Sequence, residues 1–173
     1  MSSRDQEFEE FAVARTPALL RSAWLLCGDR HQAEDLVQDT LAKLYVRWGS
    51  RLRRIDNPAA YAQTTLTRTF LSAKRRRSSG ELPWAEVPDV PVADATDTRS
   101  VQLVLLEALA GLAPQDRAVL VLRYLEDLSV DDTAALMGVS PGAVRTRSSR
   151  AVDKLRPLLD SSLLDSPAAK DRP

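Results

Sequence analysis

The sequence predicts an all-α protein of two small helical domains joined by a flexible acidic linker. Three observations carry that expectation. Of 173 residues, 44% are hydrophobic but only 5% aromatic, with Ala and Leu prominent, a composition that favours helix over sheet. Apolar residues recur at the three-and-four spacing of a helix on both sides of a stretch near 79–97 that holds Pro83, Pro88 and Pro91 and lacks that period. The charges cancel, 24 Lys and Arg against 24 Asp and Glu, yet they are sorted along the chain.

Residues 5–27 place Phe8, Phe11, Ala12, Leu19, Leu20, Ala23, Trp24 and Leu26 at helical spacing, with Pro17 starting a new helix or kinking a longer one. Asp29 is a cap for the next helix, whose apolar set is Ala33, Leu36, Val37, Leu41, Leu44, Tyr45 and Trp48 and whose other side carries Glu34, Asp35, Gln38, Asp39 and Lys43. That helix should end near Gly49. Ser50–Asn57 reads as a basic loop, and Asn57-Pro58 as the cap and first turn of a third helix running to about Arg77. Beyond the linker, Val101–Leu112 and Pro114–Leu125 each read as a helix. The tail after Leu159 reads as frayed. The expected organisation is a first domain over 5–78, a linker over 79–99, a second domain over 100–159 and a disordered tail over 160–173.

Leu128–Leu155 reads as two short helices around a tight turn. Ser129 caps the first, Ala134, Ala135 and Met137 pack, and Gly138 closes it. Ser140 caps the second, with Pro141 in its first turn. At 3.6 residues per turn the second helix gathers Val144, Ser148, Ala151, Val152 and Leu155 on one side. Thr146, Ser149, Arg150 and Asp153 fall on the other, with Arg145 and Arg147 at the borders. This is the pattern of a helix-turn-helix, whose second helix enters a DNA major groove. A plain helical hairpin with a solvated basic face would share the periodicity but not the run of cap, turn and cap.

The charge sorting fits a polyanionic partner. Arg47, Arg51, Arg53, Arg54, Arg68, Lys74, Arg75, Arg76 and Arg77 face only Asp56 between 47 and 78. Arg145, Arg147, Arg150, Lys154 and Arg156 face Asp153. Glu81, Glu86, Asp89, Asp94 and Asp97 lie between the two blocks with only Arg99. Two cationic patches on an anionic tether suit binding at two places. At ~5–6 Å × √n, a flexible linker of about 20 residues reaches ~25 Å r.m.s..

Cys27 is the sole cysteine, which excludes an intrachain disulfide and a thiolate zinc site and fits a reducing compartment. The N-terminus MSSRDQEFEEF has no apolar signal core, and no run approaches the ~20 apolar residues of a membrane span, so a soluble cytoplasmic protein is expected. His31, Glu34, Asp35 and Asp39 share helical spacing, but one His with scattered carboxylates is a weak ligand set, and no metal is expected.

Taken in order, these parts resemble the extracytoplasmic-function subfamily of sigma-70-type RNA polymerase sigma factors, in its SigE-like branch. The resemblance covers about residues 5–158. It rests on LAPQDRAVLVLRYLEDLSVDDTAALMGVSPGAVRTRSSRAVDKLR in the second half, similar to the family's region four. In the first half it rests on AEDLVQDTLAKLYVRW and NPAAYAQTTLTRTFLSAKRRR. It implies a region 2 bundle that binds core polymerase and the minus-10 element, and a region 4 helix-turn-helix that binds the minus-35 element. The implied partners are core RNA polymerase, promoter DNA and an anti-sigma factor. No catalysis, cofactor, small-molecule substrate or membrane insertion is implied.

The resemblance also implies sites. Asp35, Gln38, Asp39 and Thr40, beside Leu41 and Leu44, would dock on core polymerase. Arg51, Arg53, Arg54, Lys74, Arg75 and Arg76 would follow the backbone of the minus-10 strand, with Ile55, Asn57, Tyr61, Thr64 and Arg68 nearest the base pocket. Tyr61 and Phe70 are also ordinary core residues by spacing. Ser140, Pro141, Gly142, Arg145, Thr146, Ser149 and Arg150 would face the minus-35 element. Of these, Arg145 would read a guanine, Arg150 together with Arg147 would reach phosphate, and Gly142 would allow close approach. The chain departs from the family where an Arg and an Asn are usual in the third helix: those positions hold Gln63 or Thr64, and Arg68. The competing reading is a helix-turn-helix repressor or activator acting without core polymerase. It leaves the first basic cluster unexplained. A small metal-dependent enzyme such as a phosphodiesterase lacks the clustered His and Asp.

Overall fold

The computed structural model describes residues 3–48, 55–78 and 97–164. They form two compact units that divide between Trp84 and Ala85. The first holds α1 (Ser3–Cys27), α2 (Arg30–Trp48) and α3 (Pro58–Ser78). The second holds α4 (Asp97–Ala110), α5 (Pro114–Leu120), α6 (Val130–Met137) and α7 (Pro141–Leu164).

Short-range chemistry sets the helix ends of the first unit. Pro17 sits inside an unbroken α1. The helix closes at Gly28, whose φ of 74° is open to glycine at little cost and whose N–H donates to the Trp24 carbonyl at 2.8 Å. Asp29 Oδ1 accepts from the Gln32 N–H at 2.8 Å, and Asn57 Oδ1 from the Ala60 N–H at 3.0 Å, so α2 and α3 each start on a side-chain cap. Leu19, Ala23 and Leu26 of α1 are buried, as are Ala33, Leu36, Val37 and Leu44 of α2 and Ala62, Leu66 and Phe70 of α3. Phe70 is core, as spacing suggested. Tyr45 and Trp48 at the end of α2 meet Phe8, and Trp48 meets Phe11, at ring separations of 5.0–5.4 Å. The Tyr45 hydroxyl donates to Asp5 at 2.9 Å, and that bond and charge raise its pKa.

In the second unit Arg117 is buried and donates to the carbonyls of Ala110 (2.8 Å) and Leu112 (3.2 Å), pinning the α4–α5 turn. α5 then widens into a π-helical turn, Val121–Leu125, where an α-helix through Leu125 was expected. Arg123 donates to the Leu128 carbonyl, and Asp127 turns the chain at φ 49°, a conformation Asp tolerates. Ser129 Oγ accepts from the Asp132 N–H at 3.0 Å, Gly138 closes α6 at φ 68°, and Ser140 Oγ accepts from the Ala143 N–H at 3.1 Å. Val119, Ala134 and Val144 form the core that fixes α5, α6 and α7, with Val130, Met137 and Val139 packed on it. Ala135, expected to pack, is exposed, and Thr133 is buried in its stead.

Two expected boundaries move. α4 begins at Asp97, inside the expected linker, whose residues 79–96 lie outside the described residues. α7 runs past Leu159 to Leu164, because no Gly or Pro interrupts 158–166 and the next helix-breaking residue is Pro167. Of the expected tail, 165–173 lie outside the described residues.

Candidate functional site

The exposed face of α7 is the best-formed surface. Its first turn is set by the Ser140 cap and Pro141, and its register by Val144, Ala151 and Leu155, all buried. At 3.6 residues per turn that leaves Ser140, Pro141, Gly142, Arg145, Thr146, Ser149 and Arg150 exposed together, all seven of the residues singled out by sequence. Arg147 behaves otherwise. Its guanidinium bonds Asp116 at 2.9 Å, with Asp116 only 14% exposed. This pair ties α7 to the start of α5 and engages part of the guanidinium that was expected to reach phosphate.

In the first unit an open groove of about 370 Å³ runs between α2 and α3. Lys43 and Arg47 line it from α2, and Tyr61, Thr64, Thr65, Arg68, Thr69, Ser72 and Arg76 from α3. No carboxylate lines it among the described residues. Thr64, not Gln63, occupies the groove side of α3, since Gln63 is buried. Arg68 is exposed on the groove wall. Tyr61 is half-buried, and the Arg47 guanidinium lies over its ring at 5.1 Å. Lys74 lies over Phe70 at 5.9 Å, and neither Lys74 nor Arg75 is part of the groove wall. Ile55 is half-buried, and the exposed Asn57 spends its Oδ1 on the α3 cap. Arg51, Arg53 and Arg54 lie outside the described residues.

The third surface is the outer stripe of α2. Asp35, Gln38 and Asp39 are exposed as expected and Leu41 is half-buried. Thr40 and Leu44 must be removed from it: both are fully buried, and Thr40 Oγ1 bonds the Leu36 carbonyl at 2.7 Å within its own helix. Leu44 lies half a turn round from Asp35 and points into the bundle. The large apolar member of the exposed stripe is Val46, 76% exposed, which sequence reasoning did not single out although Asp35, Asp39, Ala42 and Val46 follow the i, i+4, i+7, i+11 spacing of one face.

Among the described residues no group of three or more His, Cys, Asp or Glu side chains could hold a metal ion, and Glu34 of the weak sequence set pairs with Arg30 at 2.9 Å. No described helix is long and apolar enough to cross a membrane.

Comparison with known proteins accounts for both units. Residues 12–80 match the family model for sigma-70 region 2, and residues 102–155 that for sigma-70 region 4. The chain is 39% identical over 163 residues to an RNA polymerase sigma-E factor of Streptomyces avermitilis, covering 94% of this chain and 90% of that protein. It is 38% identical to its counterpart in Streptomyces coelicolor, covering 94% and 91%. Among solved structures, the sigma factor RpoE of Bartonella quintana, in complex with the anti-sigma factor NepR, aligns with a TM-score of 0.67 at 29% identity, covering 90% of this chain and 98% of that one. The region 2 match accounts for the first basic cluster, which a repressor acting without core polymerase left unexplained. With region 2 in the first unit and region 4 in the second, the chain belongs to the extracytoplasmic-function branch of the sigma-70 family, the RNA polymerase sigma factors that direct core polymerase to promoters.

Proposed function

We propose that this sigma factor divides promoter recognition among the three surfaces above. Region 2, residues 5–78, docks on core polymerase through Asp35, Gln38, Asp39, Leu41 and Val46. Its groove takes the opened minus-10 strand through Tyr61, Thr64, Arg68 and Arg76. Arg51, Arg53, Arg54, Lys74 and Arg75 supply charge along the backbone, and Asn57 sets the start of α3. Region 4, from α4 at Asp97 to α7, reads the minus-35 element through Ser140, Pro141, Gly142, Arg145, Thr146, Ser149 and Arg150. Residues 79–96 connect the two in sequence. The observation that carries this division is the outward face of α7, where all seven expected contacts are exposed while Val144, Ala151 and Leu155 are buried.

The protein acts without covalent chemistry of its own and works in the cytoplasm. An anti-sigma protein holds it inactive, a proposal supported by the Bartonella quintana relative having been solved with one. Run-off transcription with core polymerase tests the division. A transcript should appear only when both elements of a bipartite promoter are intact. Tight binding of the chain alone to a duplex operator, with no polymerase-dependent transcript, would overturn it.

A further inference from the structure

We propose that Arg47 of α2 completes the single-strand site, offering the plane of its guanidinium to an extruded base and its N–H donors to a neighbouring phosphate. The inference rests on the groove between α2 and α3 being the minus-10 site and adds to it a wall that the sequence did not assign.

Size and lining favour a nucleotide. About 370 Å³ falls within the range of small-molecule sites. Lys43, Arg47, Arg68 and Arg76 bring positive charge, and Thr64, Thr65, Thr69 and Ser72 bring hydroxyls, with no carboxylate in the wall to repel a phosphate. The two cations of α2 are placed differently. Lys43 Nζ donates to Thr69 Oγ1 at 2.9 Å, which holds a point charge against α3. Arg47 is half-buried and lies over the Tyr61 ring at 5.1 Å.

That contact decides what a base meets. The Arg47 guanidinium carbon lies over the Tyr61 ring at 5.1 Å, so on that side of the groove a base meets the guanidinium before the ring. A guanidinium is planar and weakly hydrated, and on an aromatic ring it keeps donors at its rim, so it can stack and bind phosphate together. Lys offers only the charge. Lys43 and Arg47 are four residues apart and flank the stripe of Asp35, Asp39 and Val46 without belonging to it. One helix thereby serves polymerase on its outer face and DNA on its flank.

The test uses holoenzyme assembled from the full chain and a promoter it transcribes, with the minus-10 non-template strand exposed as a bubble and an abasic site placed at each position in turn. Arg47→Ala should lower affinity for the bubble by about tenfold or more, a larger loss than for the closed duplex, and should abolish the further loss that an abasic site causes at one position. Arg47→Lys should keep part of the affinity but not the sensitivity to that abasic site. Arg68→Ala, in the same assay, reports on the groove itself. If Arg68→Ala loses bubble binding and Arg47→Ala does not, the groove stands and the role of Arg47 falls. If neither variant loses it, both fall. Should Arg47→Ala fail to fold, Arg47→Lys decides alone: full affinity and undiminished sensitivity to the abasic site would reduce Arg47 to a replaceable charge and overturn the proposal.

Discussion

Substituting Gly142 by Ala separates what the fold requires from what DNA requires. Gly142 is the second residue of α7 and is exposed, and its φ is not among the positive ones, which belong to Gly28 and Gly138. A Cβ built on it meets nothing nearer than Ser140 Oγ at 3.9 Å, an ordinary contact. Nothing in the domain therefore needs glycine here. Glycine in a helix costs about 1 kcal/mol relative to Ala in the interior and less in the first turn, so Gly142→Ala should stabilise the C-terminal unit by ~0.5 kcal/mol. For a domain of this size that raises the midpoint of thermal unfolding by roughly 2–4 °C. At the minus-35 element the same methyl would enter a close approach, where overpacking costs ~1–3 kcal/mol, so holoenzyme affinity should fall by roughly five- to 150-fold. Thermal denaturation of the variant and its holoenzyme binding to duplexes with intact and scrambled minus-35 sequences measure the two effects. A destabilised variant would mean that the fold needs this glycine. A stabilised variant with unchanged minus-35 affinity would refute the close approach.

Leu44→Ala, in a fully buried position, should cost ~2–5 kcal/mol in urea unfolding, whereas Val46→Ala, 76% exposed, should stay within about 0.5 kcal/mol; equal costs would contradict the orientation of α2. Asp39→Arg should leave stability near that of the parent while weakening co-purification with core polymerase, because a reversed charge at a contact is both unpaired and repulsive; undiminished co-purification would remove the α2 stripe from the docking surface. Arg145→Ala should cost ~1–3 kcal/mol and relax preference at one base pair, whereas Arg150→Ala should weaken binding to all sequences and lower its salt dependence. Identical base-substitution profiles for the two would remove the distinction between reader and positioner.

What could be read from sequence was local. Asp29, Asn57, Ser129 and Ser140 cap helices through bonds to the backbone three residues on, so type and spacing suffice to identify them. The face of α7 was legible for a related reason: its apolar and polar residues alternate with the helical period, and one side faces the core. Thr40 and Leu44 were misplaced for two different reasons. Thr40 satisfies its hydroxyl within its own helix, which lets a polar residue be buried without a partner from another element. Leu44 shares its side with Ala33 and Val37, as the helical period had placed it, and only the family resemblance set it beside Asp39 on the outer face. Arg147 and Arg47 were out of reach, since their partners Asp116 and Tyr61 stand on other helices and no local pattern pairs them. The π-helical turn depends on Glu126 bonding back to Val121 rather than Leu122, a choice of one residue that composition does not mark.

Site-specific photocross-linking in the open complex tests the division of labour most directly. A photoreactive side chain replacing Thr146 on α7 should cross-link to the minus-35 element, and one replacing Thr64 in the groove to the single-stranded minus-10 non-template strand, with neither product formed when core polymerase is omitted. Cross-links exchanged between the two elements, or formed equally well without polymerase, would contradict the account.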